Sequence, residues 1–117
     1  MLDLHRWNAA VVIAANALAL VWGLVYVLRK RPPGRIYAHV LAAAQAVVIA
    51  QVALGLLLLS DDYRAVDRLH YAYGALALGA VLSPWVYAPP VPARRLLWFV
   101  VASLVAAALA VRAYMTA

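Results

Sequence analysis

The stretch Trp7–Leu28, WNAAVVIAANALALVWGLVYVL, runs through 22 residues without a single charge. A helix rises about 1.5 Å per residue, so such a run is long enough to cross about 30 Å of hydrocarbon. Three more stretches read the same way: Ile36–Leu59, Leu69–Tyr87 and Leu96–Tyr114. They are apolar on all sides rather than along one stripe, as lipid-facing helices are. The breaks between them are sharp. Arg29-Lys30-Arg31-Pro32-Pro33-Gly34-Arg35 closes the first, Ser60-Asp61-Asp62-Tyr63-Arg64 the second, and Ala88-Pro89-Pro90-Val91-Pro92-Ala93-Arg94-Arg95 separates the last two. The expected fold is therefore an all-α integral membrane protein, a single four-helix transmembrane domain over residues 1–117. Short loops make sequential helices antiparallel neighbours, giving an up-down-up-down bundle.

Composition agrees. The chain is 69% hydrophobic, more than a soluble domain of 117 residues can hide. It has no cysteine, which excludes disulfides, iron–sulfur clusters, blue copper and thiolate zinc sites. The basic residues are nine Arg and one Lys; with the wealth of Ala, this skew suggests a GC-rich bacterial or archaeal genome.

The placement of charge orients the bundle. One face carries Arg29, Lys30, Arg31, Arg35, Arg94 and Arg95 with no acid. The other carries Arg6, Arg64, Arg68 and Arg112 against Asp3, Asp61, Asp62 and Asp67, which cancel. Basic loops stay in the cytoplasm, so both termini and the Ser60–Arg68 loop are expected outside a plasma membrane. The net charge of +6 is then a topology signal with the lipid bilayer as partner, not a nucleic-acid footprint. The first segment is too long for a signal-peptide core and lacks a small-residue cleavage site, so it is expected to be retained. Tyr and Trp residues near both boundaries read as interfacial anchors.

Two histidines stand at the outer boundary. His5 opens the first span and His70 the third, at matching depth. In an up-down-up-down bundle these helices lie diagonally, about 12–14 Å apart across neighbouring axes of about 8–10 Å. Two imidazoles reaching inward across that gap suit a six-coordinate haem, and they are the expected metal ligands. Gly74, one turn below His70, leaves room for a flat ring. Arg6 and Arg68, with Arg64 nearby, suit the propionates. Asn8, Gln51 and Tyr73 are candidates to hydrogen-bond a ligand or orient an imidazole, and Gly55 shares a face with Gln51. Against this stands a purely structural reading: interfacial histidines are common, and Asn8, Asn16, Gln45 and Gln51 serve as interhelical glue. His39, without a partner at its end of the bundle, reads as structural.

The order of these motifs resembles one half of haem A synthase. Leu4-His5-Arg6 opens a span, Gln51-Val52-Ala53-Leu54-Gly55 closes the next, and Leu69-His70 opens a third after an outer loop. That family has two tandem four-helix halves, and the two histidines of a half ligate one haem near the outer face. The resemblance covers about Leu4 to Val81 and makes His5 and His70 the axial ligands. The family's acidic residue three before the first histidine is Leu2 here, and the loop cysteine pair of some members is absent. The resemblance therefore implies a half-length haem-binding relative rather than a synthase.

The leading expectation is a haem b protein for electron transfer, haem handling or assembly of a larger respiratory complex. The alternative is an accessory or scaffold subunit of such a complex, or a homo-oligomer, with incidental histidines. A quinone enzyme using Gln51 or Tyr73 is a further alternative. A small proton-coupled exporter is disfavoured, because the acids at positions 3, 61, 62 and 67 all lie outside the four apolar runs.

Overall fold

A computed structural model describes all 117 residues as four α-helices without strands: α1 Leu2–Arg29, α2 Arg35–Ser60, α3 Leu69–Tyr87 and α4 Pro92–Met115. Helices α1, α2 and α4 are each long and apolar enough to cross a membrane. The shorter α3, 19 residues whose Leu, Ala and Val are interrupted by His70, Tyr71, Tyr73, Ser83 and Pro84, is not among these three.

Two helices begin several residues earlier than the apolar runs suggest. α1 starts at Leu2 rather than Trp7, since a helix need not end where hydrocarbon ends; Asp3 in its first turn complements the positive end of the helix dipole. α4 starts at Pro92 rather than Leu96. Proline suits that position because its missing N–H would have no partner there anyway. α1 ends at Lys30, which takes a left-handed backbone (φ 55°) and returns its N–H to the Tyr26 and Val27 carbonyls. Within α3, Pro84 has no N–H to give the Ala80 carbonyl. The Ser83 hydroxyl supplies a bond of 2.9 Å to that carbonyl instead, so the helix continues.

Helix α1 packs between α2 and α4. Helix α3 packs closely on α4 and more loosely on α2, and it shares no backbone contact with α1. α1 and α3 are thus diagonal, as the loop lengths predict. The bundle measures 48 × 23 × 19 Å. One core cluster joins Ala19, Tyr37, Leu41, Ala44, Leu96, Phe99 and Val100. A second, nearer His5, joins Val12, Val48, Val81 and Ala106. Gly23 makes the tightest crossing: a Cβ there would lie 2.7 Å from both the Tyr37 hydroxyl and a Val100 methyl. Only 18 of 117 residues are buried, and Leu18, Val21, Ile49, Leu56, Leu76 and Leu104 point outward. That much outward apolar surface calls for a lipid solvent, so this is a multi-pass membrane protein.

Candidate functional site: a paired-histidine cavity

Both chain termini and the α2–α3 loop meet at one end of the bundle, where the Asp67 N–H donates to the Thr116 carbonyl (3.4 Å). The loop is built to present His70. Arg64 donates to the Leu59 carbonyl at the end of α2 (2.9 Å), and the Asp67 carboxylate accepts the Leu69 N–H (2.9 Å) at the start of α3. Asp67 thus turns the chain into α3, whose first residue, Leu69, precedes His70. Tyr71 braces the loop by accepting the Ala65 N–H (2.9 Å), and its ring packs edge-on against His70.

His5 and His70 meet across the diagonal, with ring centres 6.2 Å apart and planes inclined by 73°. They border a cavity of about 620 Å³. Pockets for small molecules and cofactors typically span about 300–1,000 Å³. Val12, Val48, Ala77 and Ala110 line it on the side of the second core cluster, Val52, Leu56 and Leu59 form the α2 wall, and loop residues Tyr63–Val66 complete the lining.

The two imidazoles are held differently. His70 Nδ1 lies 2.7 Å from the Ala113 carbonyl of α4. A carbonyl oxygen only accepts, so Nδ1 carries the proton and Nε2 keeps its lone pair. His5 is governed by Gln51. The Gln51 amide nitrogen donates to the His5 backbone carbonyl (2.9 Å) and lies 3.4 Å from His5 Nε2. Its carbonyl accepts from Asn8 (3.0 Å), which also donates to the Val47 carbonyl (3.0 Å). Backbone carbonyls at both ends fix the direction of this network. His5 Nε2 therefore accepts from Gln51, while the buried Nδ1 finds no partner. An orphaned buried donor costs about 1–3 kcal/mol.

The donor set suits a haem. Two imidazoles beside a largely apolar cavity, with Arg6 on its lining, would hold the iron of such a group and leave its charged edge to the guanidinium. A bare ion is a poorer match, because no cluster of three or more His, Asp or Glu side chains exists.

Of the other residues singled out from sequence, Arg6 and Gly74 line the cavity, Gln51 and Asn8 form the clamp on His5, and Gly74 faces open space. Arg68 is exposed at the head of α3 and does not line the cavity. Arg64 does, but it is tied to Leu59 and Asp62. Tyr73 lies under Arg112, whose guanidinium carbon is 5.5 Å from its ring centre, and is not part of the lining. Gly55 has the more direct role on α2, since a Cβ there would sit 3.3 Å from His5 Cε1. Sequence reasoning missed Ala113, because its contribution is a backbone carbonyl, and Tyr71, which it read as a boundary anchor. His39 is exposed on α2, away from this end.

Fold and site define a helical, multi-pass membrane protein with a histidine pair bordering a largely apolar cavity. Comparison with protein-family models, curated proteins and solved structures finds no match to this chain.

Proposed function

We propose that this protein binds one haem b between His5 and His70 at the outer face of a plasma membrane, as a relative of one half of haem A synthase without its oxidation chemistry. Its role is electron transfer, haem handling or assembly of a larger respiratory complex. The observation that carries the reading is the 6.2 Å separation of the two rings across the diagonal, beside a cavity of about 620 Å³.

The chain's residues divide the work. His70 offers Nε2 because Ala113 holds its Nδ1 proton. His5 offers the second nitrogen once it leaves Gln51. Second-sphere partners of this kind set tautomer and ligand basicity. Arg6, exposed at the cavity and free of any ion pair, is the cation for a propionate. Haem, when bound, supplies a one-electron centre; two histidine ligands leave no vacant coordination position, which favours electron exchange over substrate chemistry.

In this reading α3 also spans the membrane. Its 19 residues reach about 28 Å. The basic loops at residues 29–35 and 94–95 face the cytoplasm, leaving His5 and His70 outside.

The test is the visible spectrum of protein purified in detergent after expression with added haem, oxidised and dithionite-reduced, beside a His5→Ala/His70→Ala double variant. The expected result is a sharp Soret band with resolved α and β bands on reduction, absent from the double variant. A featureless spectrum from the folded wild type would overturn the reading and leave a scaffold subunit in its place.

A further inference from the structure

Two histidines that ligate one iron need not be equal partners, and here their surroundings differ. His70 is held ready: its Nδ1 proton is fixed on Ala113 at 2.7 Å, and no other group in the structure claims Nε2. His5 is held back. Its Nε2 already accepts from Gln51, and its Nδ1 is buried without a partner. Gln51 cannot turn away freely, because its amide is committed to the His5 carbonyl at one end and to Asn8 at the other. His5 is also packed close on α2, where a Cβ at Gly55 would sit 3.3 Å from its Cε1.

We propose, building on the haem reading, that His70 is the permanent ligand and His5 the replaceable one. The site then admits a small neutral diatomic molecule on the side of His5, with Gln51 as the positioning residue that makes His5 easy to displace. The exchange is a simple substitution: the bond from iron to His5 breaks, a bond to the incoming molecule forms, and no electron is transferred. The freed His5 Nε2 returns to the Gln51 amide. That hydrogen bond offsets part of the lost iron–nitrogen bond, which a histidine without such a neighbour would lose outright.

Carbon monoxide is the probe. The full chain would be loaded with haem and reduced as wild type, His5→Ala, His70→Ala and Gln51→Leu, and each titrated optically. Single-ligand loss should be lopsided. His5→Ala keeps its haem and binds carbon monoxide more tightly than wild type. His70→Ala holds haem about 10- to 100-fold more weakly than His5→Ala, and Gln51→Leu takes carbon monoxide about 10-fold more weakly than wild type. Equal haem loss from both histidine variants, or a wild type that refuses carbon monoxide, would overturn the inequality while leaving the haem reading intact. A wild type that takes up no haem would overturn both.

A measurement without haem checks the cause. In ¹⁵N-histidine-labelled, haem-free protein, both rings should be Nδ1-protonated, and Gln51→Leu should shift Nε2 of His5 but not of His70. An Nε2-protonated His70, or a His5 that ignores Gln51→Leu, would contradict the proposed asymmetry.

Discussion

Replacing Gly74 with leucine separates the cavity's role from the fold's stability. Nothing lies within 4 Å of a Cβ built at Gly74, so the larger side chain enters open space in the haem-free protein. Leaving glycine in a helix interior gains about 1 kcal/mol. Gly74→Leu should therefore melt at or above the wild-type temperature. The same side chain then occupies a cavity that a flat macrocycle needs. Overpacking costs about 1–3 kcal/mol, which, at about 1.4 kcal/mol per tenfold, weakens haem binding about 5- to 150-fold. Gly55→Leu is the companion. Even a Cβ there sits 3.3 Å from His5, so the longer side chain should reduce both haem affinity and haem-free stability. The assay is haem titration by Soret absorbance together with a circular-dichroism melt of the haem-free protein in the same detergent. A Gly74→Leu variant that binds haem as wild type does would refute the cavity as the haem site. One that fails to fold would refute the open space at Gly74.

Three further outcomes are expected. Gly23→Leu puts atoms where Tyr37 and Val100 already lie at 2.7 Å, so its overpacking, about 1–3 kcal/mol, should outweigh the helix-propensity gain; a melt at or above wild type would show that α1, α2 and α4 do not cross there. Asn16→Leu removes a fully buried amide whose Nδ2 donates only to the Val12 carbonyl one turn back (2.9 Å) and whose Oδ1 has no partner, and should raise stability by about 1 kcal/mol; a marked loss would mean that the Val12 bond outweighs the orphaned Oδ1. The chain has no cysteine, so single substitutions report topology. Ser60→Cys and Ala117→Cys should react with an impermeant maleimide added outside intact cells, and Pro33→Cys and Val91→Cys only after the membrane is breached; the reverse pattern would invert the orientation.

The helices were legible because hydrocarbon demands unbroken apolar runs and the loops are punctuated by Arg, Pro and Asp. The diagonal placement of His5 and His70 followed from short loops alone, and the structure agrees. Helix starts were less legible: Leu2–Arg6 is helical although it carries Asp3, His5 and Arg6, because charge ends an apolar run without ending a helix. Individual side-chain directions at the site were harder still. Arg68 and Tyr73 are close to His70 in sequence, yet neither lines the cavity. Gly55, which the sequence placed only on a face with Gln51, is the glycine against His5, a consequence of how α1 packs on α2. The Ala113 carbonyl that sets His70's tautomer has no letter of its own and depends on the register between α3 and α4.

The central claim is that His5 and His70 together hold one haem iron. Low-temperature electron paramagnetic resonance of the ferric, haem-loaded protein tests it most directly, because spin state reports how many strong axial ligands are present. Two imidazoles predict a low-spin signal that becomes high-spin in His5→Ala. A high-spin wild type, or a low-spin signal untouched by His5→Ala, would contradict the claim.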